Sequence, residues 1–128
     1  MTFIQSLKKL VRSFGYAFKG VSYAAKTQLN FRVHLVFTLL AVFMGYALHI
    51  SANEWQWIVL SITLVLFTEL LNTALETLTD LVSPEYNVKA GHVKDVAAGA
   101  VVITAIFAVI NGLIIFLPKL VTLLNHAA

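Results

Sequence analysis

Hydrophobic residues form three long runs along the chain, at about residues 33–50, 55–81 and 96–117. An α-helix rises about 1.5 Å per residue, so each run is long enough to cross a hydrocarbon core about 30 Å thick. The short segments between the runs are polar, and the segment 82–94 also contains Pro84 and Gly91. The pattern predicts three transmembrane helices, with Pro118 ending the third.

The segment before the first run, about residues 3–29, has a different pattern. Its apolar residues recur at steps of three and four with basic residues between them, as in an amphipathic helix. A helix of this kind lies on a membrane surface. We therefore predict an all-α integral membrane protein, in which residues 1–128 form a single domain of one surface helix and three spans.

Composition and charge agree with a bilayer as the solvent. Of the residues, 59% are hydrophobic and 12% charged, and the mean hydropathy is +0.86, which is too apolar for a soluble domain. Of the nine Lys and Arg residues, all except Lys119 lie before the first span or in the segment 82–94. The positive-inside rule therefore puts the N-terminus and this segment on the cytoplasmic side.

Several classes of function and site are disfavoured. The absence of cysteine excludes disulfides and thiol chemistry. No nucleic-acid-reading motif accompanies the basic residues, so nucleic acid is not an expected partner. The four histidines are too scattered for a metal-binding pair or a catalytic triad, and no Walker-type phosphate loop is present. Three short helices enclose little space alone, so a homo-oligomer is expected.

Polar residues in the second run carry the candidate chemistry. Glu69, Asn72, Glu76 and Asp80 fall within an arc of about 80° on a helix that turns about 100° per residue, and we call these four residues the polar stripe. Ionisable groups inside a span are costly, which favours a functional role. Of two carboxylates on one helix face, one can bind a divalent cation and the other can accept a proton.

Structural explanations compete for each member of the stripe. Glu76 can be a helix-end carboxylate that reaches water, and Asn72 can form an interhelical hydrogen bond. In the following segment, Lys94 is suitable for binding phosphates, but it can also be an ordinary interfacial anchor. The shared helix face of the polar stripe favours the functional interpretation.

The motif Glu69-Leu-Leu-Asn72-Thr-Ala-Leu-Glu76, followed by Asp80, Glu85 and Lys94-Asp95, resembles the signature of the prokaryotic diacylglycerol kinase family, which includes undecaprenol kinases. Gly15-Tyr16-Ala-Phe-Lys19-Gly20 and Asn30-Phe-Arg32-Val-His34 extend the resemblance over about residues 8–118. The resemblance implies a homotrimer in the bacterial cytoplasmic (inner) membrane, which transfers the γ-phosphate of ATP to a lipid hydroxyl.

The resemblance also implies roles for individual residues. Glu69 would be the general base, Glu76 and Gln28 would be ligands of Mg²⁺, and Asn72 would orient neighbouring groups. The implied nucleotide contacts are Lys9, Tyr16, Glu85, Tyr86, Asn87, Lys94 and Asp95. The implied supporting residues are Arg12, Lys19 and Asp80, with Asn72.

Three positions depart from the family pattern. Gln28 stands where the family commonly has a Glu that serves as a second ligand of magnesium, Lys9 stands where it has Arg, and Asn87 where His is frequent. The segment 30–34 and the Trp55–Trp57 turn are more similar to the undecaprenol kinase branch, although either lipid offers a primary hydroxyl. A small proton-coupled transporter and a non-catalytic membrane scaffold are the alternative functions.

Overall fold

The computed structural model describes residues 2–127 and contains four α-helices and no strand in that range. They are α1 (Phe3–Thr27), α2 (Leu29–Ala47), α3 (Ala52–Val82) and α4 (Val88–Ala127). Helices α2, α3 and α4 are each long and apolar enough to cross a membrane. The predicted all-α membrane fold with an N-terminal surface helix and three spans is confirmed.

Local sequence explains where the helices begin. Thr2 and Ser51 each form a capping box with the glutamine or glutamate three residues later, so α1 and α3 start with satisfied backbone N–H groups. Before α4, the side-chain Oδ1 of Asn87 accepts a hydrogen bond from the backbone N–H of Lys89 at 2.8 Å. Asn87 therefore starts the last helix, a role that the sequence analysis did not assign to it.

Helices α3 and α4 form the main hairpin of the bundle, joined by the loop 83–87, and α2 packs chiefly against α3. An apolar core lies at the end of the bundle near the α2–α3 turn and consists of Ile50, Ile58, Ile115 and Phe116. Towards the other end, polar side chains join the hairpin. Asn111 donates to Ser61 at 3.0 Å, and Thr68 and Thr104 share a hydrogen bond of 2.9 Å.

A close approach fixes the turn between α2 and α3. A Cβ atom added to Gly45 would lie 2.6 Å from Cη2 of Trp55, so only glycine leaves room for the indole. The Trp55 ring also packs on Tyr46, with 5.0 Å between ring centroids. His49, within this turn, has a φ of 49°.

Helix α1 contacts the bundle only near its C-terminal end, where Ala24 is fully buried. Its large apolar side chains are exposed, including Phe3, Leu7 and Phe14. A helix that keeps an apolar face exposed and alternates it with basic residues is suited to lie on a membrane surface.

Helix α4 extends beyond the apolar run at both ends. It begins at Val88, so the first residues expected in a loop are helical, and it continues through Pro118 to Ala127. Proline removes one backbone N–H from the helix, which usually interrupts it. The prediction that Pro118 ends the third helix is wrong, since α4 continues on both sides of this residue. Membrane-spanning helices tolerate proline when other groups satisfy the freed backbone carbonyl.

Candidate active site

The polar stripe lies along α3, and its burial decreases towards the C-terminal end of that helix. Glu69 is only 2% exposed and Asn72 is 8% exposed, whereas Glu76 is half-buried and Asp80 is exposed. The stripe therefore runs from the interior of the bundle to its surface near the loop 83–87.

A hydrogen bond joins two members of the stripe. The amide nitrogen Nδ2 of Asn72 donates to Oε1 of Glu76 at 3.1 Å. The amide thereby turns its carbonyl oxygen Oδ1 inward, where this oxygen is buried and accepts no hydrogen bond from the residues described. Buried acceptors without donors are uncommon and call for an explanation.

The second buried acceptor without an aligned donor is Oε1 of Glu69. The Nε2 atom of His34 on α2 lies 3.2 Å from this oxygen. The distance is that of an ion pair, but the ring N–H does not point closely enough at the oxygen to form a hydrogen bond. The contact brings a residue of the first span to the most buried carboxylate of the second.

At the surface end of the stripe, Asp80 accepts a hydrogen bond from Nζ of Lys94. The two residues meet because the first turns of α4 pack beside the end of α3. Both side chains are well exposed, so the pair contributes little to stability. The pair matters because it holds Lys94 over the surface end of the polar stripe.

The other predicted site residues lie on four different segments. Gln28 lies between α1 and α2, and the loop 83–87 carries three more. On α1, the Nζ atom of Lys19 lies 5.7 Å from the centroid of the Tyr16 ring. The exposed predicted residues on α1, in the loop and at the start of α4 are Lys9, Arg12, Tyr16, Lys19, Glu85, Tyr86, Asn87 and Asp95. Within residues 2–127, no hydrogen bond or ion pair connects these side chains to Glu69, Asn72 or Glu76.

The polar stripe contains oxygen atoms of the kind that bind magnesium. No group of three or more His, Cys, Asp and Glu residues forms a metal cage in the part of the chain that the structure describes. Magnesium commonly uses one or two carboxylates together with substrate phosphates and water, so a complete protein cage is not needed. Glu76 and the unsatisfied Oδ1 of Asn72 are hard oxygen donors, which fit such an ion.

Sequence reasoning did not assign His34 to the site. This residue stands near the start of the first apolar run and within the segment 30–34 of the family resemblance, and the four histidines are scattered along the chain. A signal was present in the sequence, because His34 is an ionisable residue near the start of the long apolar run 33–50. Its partner was not readable, since the contact depends on how α2 packs on α3.

Known proteins of one family match this chain over most of its length. The profile of prokaryotic diacylglycerol kinase matches residues 15–116. A diacylglycerol kinase of Synechocystis sp. is 44% identical over 121 residues, which are 94% of this chain and 69% of that protein. The undecaprenol kinase of Bacillus subtilis is 39% identical over 114 residues, 89% of this chain and 93% of that protein. The diacylglycerol kinase of Escherichia coli K12 is 34% identical over 103 residues, 80% of this chain and 84% of that protein.

The fold and the site define a multi-pass helical membrane protein with a buried carboxylate, Glu69, inside one span. With the profile match and these relatives, the chain belongs to the prokaryotic diacylglycerol kinase family. The protein is therefore a lipid kinase, and the resemblance drawn from the Glu69–Glu76 motif is confirmed.

Proposed function

We propose that this lipid kinase transfers the γ-phosphate of ATP directly to the hydroxyl of undecaprenol or diacylglycerol at the cytoplasmic membrane interface. The observation that carries the proposal is the placement of Glu69, a buried carboxylate on the same helix face as the hydrogen-bonded pair Asn72 and Glu76. Relatives named for each of the two lipids support keeping both acceptors.

Glu69 acts as the general base in this proposal. Its carboxylate takes the proton of the lipid hydroxyl as the hydroxyl oxygen attacks the γ-phosphorus atom, and the bond to the β-γ bridging oxygen breaks to release ADP. A primary alcohol is a weak nucleophile, so a base within hydrogen-bond reach accelerates the attack. Burial suits this role because the site excludes water, which would otherwise compete as the acceptor.

Glu76 and Gln28 are the proposed ligands of Mg²⁺, and Asn72 orients Glu76 through their hydrogen bond of 3.1 Å. When bound, the ion would neutralise charge on the ATP phosphates during transfer. A carboxylate is a strong ligand for a hard cation, whereas the Gln28 amide offers only a neutral carbonyl oxygen.

The nucleotide is proposed to lie at the surface end of the stripe. Lys94 offsets phosphate charge there, and its ion pair with Asp80 keeps the ammonium group in position. Further proposed contacts are Lys9, Tyr16, Glu85, Tyr86, Asn87 and Asp95, with Arg12 and Lys19 in support. These residues lie on separate segments, and we propose that a homotrimer in the bacterial inner membrane, with cytoplasmic N-termini, brings them together.

The test compares two carboxylate variants of the purified enzyme in detergent micelles with labelled ATP and each lipid. Glu69→Gln is expected to lower kcat by about 100-fold or more with little change in the KM for ATP, because a positioned base contributes about 10²–10⁴-fold. Glu76→Gln is expected to raise the requirement for magnesium and the KM for ATP. The two kinetic patterns distinguish the base from the metal ligand.

The matched control is Glu54→Gln, which removes a carboxylate from the same helix at its opposite end. Glu54 pairs with Lys119 at 3.2 Å and lies outside the polar stripe, so normal kinetics are expected. Near-normal phosphate transfer by the Glu69→Gln/Glu76→Gln double variant would contradict the proposed mechanism.

A further inference from the structure

Glu69 is held in place by little besides its own helix. Its neighbour one turn later, Thr73, donates a hydrogen bond to the backbone carbonyl of Glu69 at 2.9 Å and not to the carboxylate. A glutamate side chain has three rotatable bonds, and a general base must present one oxygen to the hydroxyl in a narrow range of directions. The carboxylate therefore needs a partner that restricts its rotation.

His34 is the side chain in a position to restrict it. Helix α2 turns a continuous face towards the bundle, and His34 lies on that face one turn after Phe31, which is 1% exposed. The buried phenyl ring fixes the register of α2 against its neighbours. As a result the imidazole is placed with Nε2 at 3.2 Å from Oε1 of Glu69.

The His34 side chain is more exposed to solvent than the Glu69 side chain that it contacts. The His34 side chain is 22% exposed and the Glu69 side chain is 2% exposed, so the imidazole reaches the surface of the protein while the carboxylate does not. The contact occupies Oε1, the oxygen that has no aligned donor elsewhere in the described residues. Hydrogen bonds of catalytic groups are often poorly aligned without substrate and improve in the reacting complex.

We propose that His34 is a positioning residue of this kinase: its ring N–H holds Oε1 of Glu69 and leaves the other carboxylate oxygen to accept the lipid hydroxyl proton. This inference rests on the proposed role of Glu69 as the base. A different role for His34 as a simple packing contact between α2 and α3 would affect stability but not the rate of transfer in the folded enzyme.

The experiment compares His34→Leu, which removes the N–H, with His34→Gln, whose amide nitrogen reaches about as far as Nε2. Steady-state kinetics are measured in detergent micelles over a range of ATP and lipid concentrations. His34→Leu is expected to lower kcat about 10- to 100-fold, the range for loss of one hydrogen bond to a charged group, while the KM for ATP stays within about twofold. His34→Gln is expected to regain most of the lost kcat.

Thr104→Val is the matched control for packing. It removes a polar contact of 2.9 Å to Thr68, the residue immediately before Glu69, without touching the carboxylate. Its kcat is expected to stay within about twofold of the wild-type value, since no positioning contact is lost. The other substitution, His34→Leu, puts an apolar residue within a span, so the His34→Leu variant is also expected to fold.

Three outcomes would overturn the positioning role. They are an unchanged kcat in His34→Leu, an equal loss in His34→Leu and His34→Gln, and a loss that appears only as a higher KM for ATP. Glu69→Gln is assayed in parallel to separate this inference from the proposed function. If Glu69→Gln is inactive and His34→Leu is normal, the inference alone fails, whereas an active Glu69→Gln enzyme contradicts the base itself.

Discussion

Gln28 lies at the junction between two helices, where it is both the C-cap residue of α1 and the N-cap residue of α2. Its backbone N–H donates to the carbonyl of Ala24 at 2.8 Å, while its side chain makes no capping hydrogen bond to α2. The amide is half-buried and remains available to a ligand. Capping by the side chain therefore does not explain the presence of Gln28.

We predict that Gln28→Glu lowers the magnesium concentration for half-maximal activity, and that Gln28→Ala raises it or abolishes turnover. A charged carboxylate binds a hard cation more strongly than a neutral amide, and alanine offers no side-chain oxygen. Magnesium titrations of lipid phosphorylation by the purified variants provide the measurement.

Gln56→Glu serves as the control, because it adds the same charge at an exposed position in the first turns of α3. Its magnesium titration is expected to match that of the wild type. Coincident curves for all three enzymes that differ at residue 28 would show that this residue is no metal ligand.

Part of the site was readable residue by residue. The shared face of Glu69, Asn72 and Glu76 follows from helical periodicity alone, and their decreasing burial follows from their depth in one helix. The contact of His34 with Glu69 did not follow, because periodicity relates residues of one helix and says nothing about the rotation of a neighbouring helix. The pairing of Asp80 with Lys94 depends in the same way on how α4 packs beside α3.

At the scale of helices, the approach of Gly45 to Trp55 gives a stability prediction. Gly45→Ala would put a Cβ atom 2.6 Å from Cη2 and 2.7 Å from Cζ2 of the indole, and 3.1 Å from Cδ1 of Ile50. The ring must move away from the α2–α3 turn, and overpacking of this kind costs about 1–3 kcal/mol. We expect a lower free energy of unfolding in mixed detergent micelles, measured by titration with a denaturing detergent.

Gly112→Ala is the comparison for helix propensity, because its added Cβ would meet only Phe116, at an ordinary distance of 4.0 Å. That variant should be as stable as the wild type or more so, since alanine favours a helix by up to about 1 kcal/mol. Equal effects of the two substitutions on the free energy of unfolding would mean that the Trp55 ring moves aside without destabilising the protein.

The helices themselves were more predictable than their ends. Hydrophobic runs identified the three spans because a bilayer demands an unbroken apolar helix, which few other patterns resemble. Polarity marks where the membrane ends and does not mark where the helix ends. Thus α4 begins at Val88, after the cap of Asn87, and passes through Pro118, although the apolar run is shorter.

For the whole molecule, the distribution of basic residues predicts orientation across the membrane. Ser51 precedes α3 and Ser83 follows it, and α3 crosses the membrane between them. In intact cells, a membrane-impermeant thiol reagent is expected to label Ser51→Cys, and to label Ser83→Cys only after the inner membrane is permeabilised. The wild-type chain has no cysteine and provides the unlabelled background.

Labelling of both positions from outside would contradict a cytoplasmic loop 83–87. A reversed pattern, with only Ser83→Cys reactive from outside, would invert the topology and put the proposed nucleotide contacts on the wrong side for cytosolic ATP. Either result would also remove the physical basis for the proposed role of Lys94.

The position of the tryptophans at the tight α2–α3 turn has a consequence for fluorescence measurements on this enzyme. Both tryptophans of the chain, Trp55 and Trp57, lie in the first turns of α3, and the polar stripe occupies the later turns of the same helix. Intrinsic fluorescence thus reports hydration and packing at one end of the molecule. Emission from these fluorophores can follow unfolding of that end separately from the proposed nucleotide site at the other, and a tryptophan placed in the loop 83–87 would supply a second, spatially separate signal.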